Sequence, residues 1–229
     1  MRNIHAIILA GGTGTRLGGD KPKQFLEIAG KPLILYSLER FKNWGLCKSI
    51  TIVCHADWIL FMEKTVGGHL EGNDQIIEGG KTRHESTLKA LRSLIWDQED
   101  ILMIHDAARP FFLSLELDEL IGSARIYGAS TLALQATETV VLSKSQGSYT
   151  ESSIPRDELF FVKTPQAVTG SILHRLLALG DIPNEQHPTD LCSWVERLGE
   201  KTGIVLCDPR NIKVTRSEDT EVVLNYLNS

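Results

Sequence analysis

The chain has 229 residues, with 24 Lys and Arg against 29 Asp and Glu for a formal charge of −5; 42% of residues are hydrophobic and 23% charged. These are the proportions of an ordinary soluble globular protein, long enough to bury its own core without disulfides or metal staples. The acidic balance excludes a general nucleic-acid binder, which needs a basic surface for counterion release, but not a small anion gripped by a few converging cations.

In chain order, a first apolar run at Ile4–Ala10 reads as a strand. It is too short for a membrane helix and lacks the basic region and cleavage site of a signal peptide. Further strands are predicted at Ile50–Cys54, Asp74–Ile77, Ile101–His105 and Thr131–Gln135, with helices near Pro32–Trp44, Asp57–Val66, Arg83–Trp96 and Leu115–Tyr127. Thr82-Arg83-His84-Glu85 matches a capping box and marks a helix start. This alternation predicts an α/β fold, Rossmann-like, with a mostly parallel sheet and helices on both faces. Right-handed crossovers gather the carboxyl ends of the strands on one edge, where ligands bind in such sheets. Residues 137–160 break the rhythm, being rich in Thr, Ser and Glu around Val140–Leu142 and the turn-like Ser145-Gln146-Gly147-Ser148. They are read as a projecting β-hairpin arm of the kind that completes a dimer. The whole chain, 1–229, is read as one domain with that arm. Cys47, Cys54, Cys192 and Cys207 show no metal-ligand spacing and are read as reduced thiols of a cytoplasmic protein.

Three motifs carry chemistry. The first strand runs into Ala10-Gly11-Gly12-Thr13-Gly14-Thr15-Arg16-Leu17-Gly18, followed by Lys21-Pro22-Lys23-Gln24. Glycines there let backbone N–H groups approach phosphate oxygens. Leu17 stands where a dinucleotide fingerprint starting at Gly12 needs glycine, and the Gly14–Gly19 stretch lacks the Gly-Lys-Ser/Thr ending of a P-loop. What remains is a glycine loop with two cations, Arg16 and Lys23, suited to a triphosphate whose charge rises at the α-phosphorus. Next, Ile101–Pro110 is an apolar strand that ends in Asp106, with Arg109 three residues on. A carboxylate at that edge is a natural Mg²⁺ ligand bridging to nucleotide phosphates, and the arginine can grip a second phosphate. An N-capping aspartate paired with arginine is the plainer reading. Third come Gly79–Ser86, which opens a helix where its amides and Ser86 can read a base edge, and Asn211-Ile212-Lys213-Val214-Thr215, read as a short strand entering a closing helix capped by Ser217. His84, His105, His174 and His187 receive no role, and Lys81 either contacts nucleotide or faces solvent.

Taken together, HDAARP at 105–110, Thr164-Pro165-Gln166, Thr189-Asp190 and NIKVT at 211–215 resemble the 2-C-methyl-D-erythritol 4-phosphate cytidylyltransferase family over nearly the whole chain. A sister group, the ribitol-5-phosphate cytidylyltransferases, is also similar. Leu9-Ala10-Gly11-Gly12 and His55-Ala56-Asp57-Trp58 lean toward the sister group, Lys81 and Leu191-Cys192 depart from the first family's usual pattern, and HDAARP and NIKVT lean toward the first. The resemblance implies transfer of CMP from CTP to methylerythritol phosphate, with ribitol 5-phosphate as the alternative acceptor and Mg²⁺ as cofactor. It implies that Ala10, Gly11, Gly12, Thr13 and Gly14 hold the CTP phosphates, and that Arg16 and Lys23 stabilise the transition state. Gly80, Arg83 and Ser86 would lie around the cytidine and Asp106 would hold Mg²⁺. Arg109, Thr139, Arg156, Thr189 and Lys213 would surround the polyol phosphate, with Thr139 and Arg156 acting from the arm across a homodimer interface. Arg16, Lys23, Arg156 and Lys213 are thus the expected catalytic cations. A nucleotide-binding regulatory module without turnover is the reading from another class.

Overall fold

The computed structural model describes residues 2–12, 21–144, 147–180 and 182–228. Its centre is a seven-stranded sheet. The amino-terminal half supplies β1 (Ile4–Ala10), two short strands β2 (Glu27–Ile28) and β3 (Lys31–Pro32), helix α1 (Leu33–Trp44), β4 (Ser49–Cys54), α2 (Ile59–Val66), β5 (Gln75–Glu78), α3 (Arg83–Ser93) and β6 (Ile101–Asp106). The remainder supplies α4 (Ser114–Tyr127), β7 (Ala129–Gln135), β8 (Val140–Leu142), β9 (Ser152–Ile154), β10 (Phe160–Thr169), α5 (Gly170–Ala178), α6 (Leu191–Val195), β11 (Gly203–Leu206) and α7 (Glu218–Leu227). Strand order in the main sheet is β11-β7-β10-β6-β1-β4-β5. All neighbours run parallel except β10, which is antiparallel to both β6 and β7.

The period of two along β1 explains why helices cover both faces. Ala6, Ile8 and Ala10 point into a cluster with Ile34, Leu38 and Phe41 of α1, Met62 of α2 and Leu117 and Leu120 of α4. Ile7 points the other way, to Ala90 and Leu91 of α3, Ile172 and Leu173 of α5 and Trp194 of α6. A third cluster joins Leu33 and Tyr36 of α1 to Phe111, Val214 and Val223 of α7, and so fastens the carboxyl-terminal segment beside the end of β6.

The mostly parallel α/β sheet agrees with the expectation, and several local boundaries differ. The second predicted helix opens with a 3₁₀ turn, Ala56–Trp58, before α2 begins. α3 stops at Ser93 and not Trp96; the Trp96 indole instead donates back to Leu91 O at 2.9 Å, folding the chain over the helix end. Thr82 caps α3 through Glu85 N–H, but the Glu85 carboxylate reaches Lys81 N–H, one residue beyond the box. Residues 211–215 form no strand: Val214 N–H bonds Ala108 O, the Asn211 side chain bonds Thr164 O, and among the described residues no strand pairs with them in a ladder. Ser217 does not cap α7, because its φ of −59° and ψ of −38° are already helical. Asp219, already inside the helix, instead ties down the residues before it, accepting from Thr215 N–H at 2.7 Å and Arg216 N–H at 2.8 Å. The predicted arm holds a separate antiparallel pair, β8 with β9; Ser145 and Gln146 of its turn lie outside the described residues.

The α4–β7 connection rests on one glycine. Gly128 ends α4 with φ of +85° and N–H bonded to Ala124 O, and a Cβ there would come within 2.7 Å of Ile172 Cγ1. Gly128→Ala therefore combines backbone strain with a core collision, and should lower stability by about 1–3 kcal/mol in urea denaturation. An unchanged midpoint would contradict this account of the turn.

Candidate active site

Parallel register places the chain reversals after β1, β4 and β6 on one edge. Leu9 lies opposite Asp106 and Ala10 opposite Cys54, so the glycines after β1, the loop after β5 and the end of β6 all open there. Ala107 N–H bonds Leu9 O, Gly79 N–H bonds Cys54 O, and the Gln24 side chain donates to Ala10 O, closing the floor. The resulting cleft, about 240 Å³, is lined by Ala10, Gly11, Gly12, Lys23, Gln24, Gly80, Lys81, Thr82, Arg83, Ser86, Asp106 and Lys213 among others.

Asp106 organises the charge. Arg83 Nε donates to its Oδ1 at 3.2 Å, Lys213 Nζ donates to its Oδ2 at 2.7 Å, and Arg109 Nε stands 3.9 Å from Oδ2. Burial alone would raise the carboxyl pKa; Arg83, Lys213 and Arg109 override it and hold Asp106 well below the usual carboxylate range. The same residue is fixed from behind, since its N–H donates to Thr164 Oγ1 at 3.0 Å. Thr164 in turn meets His105 Nδ1 at 3.1 Å, and His105 Nε2 meets Arg109 O at 3.1 Å. A carbonyl only accepts, so Nε2 carries the ring proton and the hydroxyl of Thr164 donates to Nδ1. Burial, only partly offset by Asp106, pushes the His105 pKa down to about 3. His105 is thus a neutral strut and not an acid or base.

The wall opposite β6 is made by close contact that only glycine permits. A Cβ on Gly79 would lie 2.9 Å from Ser86 Oγ, and one on Gly80 would lie 3.0 Å from the backbone of Glu85. This lets Ser86 Oγ accept the Gly80 N–H at 3.0 Å. Gly11 faces the same hydroxyl, and Gly12 faces the Lys23 side chain. Lys23 Nζ itself donates to Val214 O at 3.3 Å, tying the first loop to the 211–215 segment.

The structure therefore brings together Ala10, Gly11, Gly12, Lys23, Gly80, Arg83, Ser86, Asp106 and Lys213. Thr13, Gly14 and Arg16 lie outside the described residues. Arg109 sits behind the wall, its Nη1 donating to Asn211 O at 3.3 Å, and does not line the cleft. Thr139, Arg156 and Thr189 are exposed and do not line it, with Arg156 Nη1 near Thr137 O on the arm. Sequence reasoning missed Gln24 and Thr82 as lining residues and the Thr164–His105 support; the T-P-Q motif was the available signal for the last.

Asp106 also ties the cleft to stability. Asp106→Asn leaves Arg83, Arg109 and Lys213 facing one another with no countercharge, and should cost about 2–3 kcal/mol at pH 7 by chemical denaturation. Because the folded-state pKa is depressed, the stability Asp106 contributes is complete above the unfolded value of about 3.9 and is lost as pH falls below it toward the folded pKa. The gap between wild type and variant should therefore shrink as pH falls below about 4. A gap that widens on acidification would contradict the assignment.

Comparison with known proteins agrees with this architecture. A family model described as 2-C-methyl-D-erythritol 4-phosphate cytidylyltransferase matches residues 4–229. The chain is 48% identical over 223 residues to the protein of that name from Leptospira borgpetersenii serovar Hardjo-bovis, covering 97% of this chain and 93% of that one. It is 44% identical over 219 residues to its namesake from Leptospira interrogans, covering 96% and 90%. Its fold is similar to the crystal structure of 4-diphosphocytidyl-2C-methyl-D-erythritol synthase from Anaerococcus prevotii, with a TM-score of 0.83 at 24% identity, covering 100% of this chain and 97% of that one. The chain belongs to the 2-C-methyl-D-erythritol 4-phosphate cytidylyltransferase family.

Proposed function

We propose that this cleft performs the family's nucleotidyl transfer, from CTP to 2-C-methyl-D-erythritol 4-phosphate, by electrostatic means alone. The observation that carries the reading is the convergence of Lys23, Arg83 and Lys213 with Asp106 and two glycine turns in one cleft. The acceptor's phosphate has a second pKa of about 6, so its oxygen is already an anion at pH 7 and needs no general base. That oxygen attacks the α-phosphorus; the new O–P bond forms as the bond to the bridging oxygen breaks, and pyrophosphate departs with the electron pair. The barrier is repulsion between two anions, and the work of the protein is positioning and charge neutralisation. Backbone N–H groups of Gly11 and Gly12 suit the triphosphate, with Lys23 beside it, and Arg16 completes that set in this reading. Lys213, held by Asp106, stands where the attacking phosphate and the α-phosphate approach. Arg83, Gly80 and Ser86 form the nucleoside side, Thr189 serves the acceptor, and Arg109 acts from behind the wall through Asp106.

The donor set is compatible with Mg²⁺ of the phosphate-bridging kind. Such an ion takes one or two carboxylates plus substrate phosphates and waters, and Asp106 offers one carboxylate on the cleft wall. Among the described residues no group of three or more His, Cys, Asp and Glu forms an all-protein cage. Asp106 would hold the ion, which when bound neutralises phosphate charge.

In the same reading the β8–β9 arm makes a homodimer and carries Thr139 and Arg156, both exposed here, to the partner's acceptor site. The enzyme works in the cytoplasm, a compartment that suits four free cysteines. Among the described residues, no helix is long and apolar enough to cross a membrane.

Pyrophosphate release with CTP and Mg²⁺ should occur with methylerythritol 4-phosphate as acceptor. Release with ribitol 5-phosphate alone would reverse the acceptor, and release with neither would favour a binding module without turnover. Lys23→Ala and Lys213→Ala should each lower kcat/KM by more than about tenfold with folding intact, the loss of one charge-assisted contact in the transition state. Near-normal turnover in either variant removes that lysine from the mechanism.

A further inference from the structure

His187 receives no role from its sequence context, yet it joins the cap of α3 to the segment before α6. The segment from Ile182 to Leu191 carries Thr189, and it is fastened at its far end by the fully buried Gln166. The Gln166 carboxamide donates to Asp190 Oδ2 at 3.0 Å and accepts the Leu191 N–H at 3.0 Å. At the other end His187 Nε2 lies 2.9 Å from Ile182 O, and Nδ1 lies 3.0 Å from Thr82 Oγ1. The carbonyl only accepts, so Nε2 carries the proton and Nδ1 is an acceptor. Thr82 Oγ1 already accepts the Glu85 N–H at 3.1 Å, which leaves its own proton for Nδ1. Both ring nitrogens of His187 and the Thr82 hydroxyl are thus partnered.

The ring is also braced. Its centroid lies 4.8 Å from that of His84, whose other neighbour is Trp194 at 4.8 Å in an edge-on contact. Arg197 Nη1 supports the adjoining Gln186 carbonyl at 3.2 Å. Thr82 is at once the N-cap of α3 and a lining residue of the cleft, next to Arg83. A displacement of Thr82 therefore moves the nucleotide wall, and a displacement of His187 moves the segment bearing Thr189.

We infer that His187 is a positioning residue: its hydrogen bond to the Thr82 cap holds the Thr189 segment at a set distance from the nucleotide wall, so that the acceptor site is built against the nucleotide site. This rests on the reading above in which Thr189 contacts the acceptor phosphate. His187 touches neither substrate and acts only through Thr82 and Thr189.

Steady-state kinetics of pyrophosphate release test this with four proteins beside wild type. His187→Ala should raise the KM for methylerythritol 4-phosphate about three- to tenfold, the range set by loss of one neutral hydrogen bond, with kcat and the KM for CTP within about twofold. His187→Asn, whose carboxamide oxygen stands in for Nδ1, should return that KM to within about twofold of wild type. Thr82→Val removes the hydroxyl from the other side and should raise the same constant. The double variant His187→Ala/Thr82→Val should raise the acceptor KM by less than the product of the two single effects, because the Thr82–His187 bond is lost only once, although His187→Ala also frees Ile182 O and Thr82→Val also uncaps the Glu85 N–H. An unchanged acceptor KM in His187→Ala, a fall confined to kcat, an asparagine no better than alanine, or additive effects in the double variant would each overturn the inference. Absence of turnover in the wild-type protein would instead overturn the functional reading on which it rests.

Discussion

Asp106 is a buried carboxylate that faces three cations, and the arrangement of the cleft follows from it. Arg83 arrives from α3, Lys213 from the carboxyl-terminal segment and Arg109 from the turn after β6. Without a negative charge among them, three cations on one sheet edge would repel one another and the elements carrying them would separate. With it, Arg83 and Lys213 are held in orientation on the cleft wall, and Arg109 backs the carboxylate from behind. A carboxylate so used leaves the cations paired but not neutralised, since each side chain has further N–H groups for a ligand. Preorganised charge of this kind lowers the barrier of a reaction between anions, because the reorganisation has been completed during folding.

The fold exists around that requirement. Parallel strands bring the ends of β1, β4 and β6 to one edge, and small residues there leave an open cleft. The antiparallel β10 supplies Thr164 and Gln166, which support the cleft from behind: one through Asp106 N–H, the other through Asp190 and Leu191. The chain's net charge of −5 is no obstacle, since the average conceals a local concentration of cations. The third hydrophobic cluster matters for the same reason. Val214 and Val223 pack against α1 and the end of β6, and so deliver Lys213 to its place.

Much of this was legible in the sequence where a signal was local. The alternation of apolar runs predicted five of the sheet's seven strands, missing β10 and β11, the glycines after β1 predicted a loop at the sheet edge, and Thr82 predicted the start of α3. Failures occurred where tertiary contacts decide. Lys213 was read as a strand residue because Ile212 and Val214 flank it, but the bonds of that segment go to Ala108 and Thr164, far away in sequence. Ser217 has the composition of a cap and the wrong dihedrals, and the Asp219 carboxylate instead holds the N–H groups of Thr215 and Arg216 before the helix. Arg83 was read as a nucleoside contact, while its partnership with Asp106, 23 residues away, has no periodic signature. His187 and Thr82 lie 105 positions apart, and nothing in either's neighbourhood announces the other.

The central claim is that Asp106 stays ionised because its cations hold it so. The direct measurement is the side-chain carboxyl ¹³C resonance of Asp106, followed by NMR through an acid titration of the folded protein. An ordinary aspartate titrates near pH 3.9. The account requires the Asp106 signal to remain that of a carboxylate down to about pH 3, and to move toward ordinary behaviour when Lys213 is replaced by Ala. A midpoint at or above about 4 in the wild-type protein would show that the three cations do not act on this carboxylate, and the account of the cleft would fail.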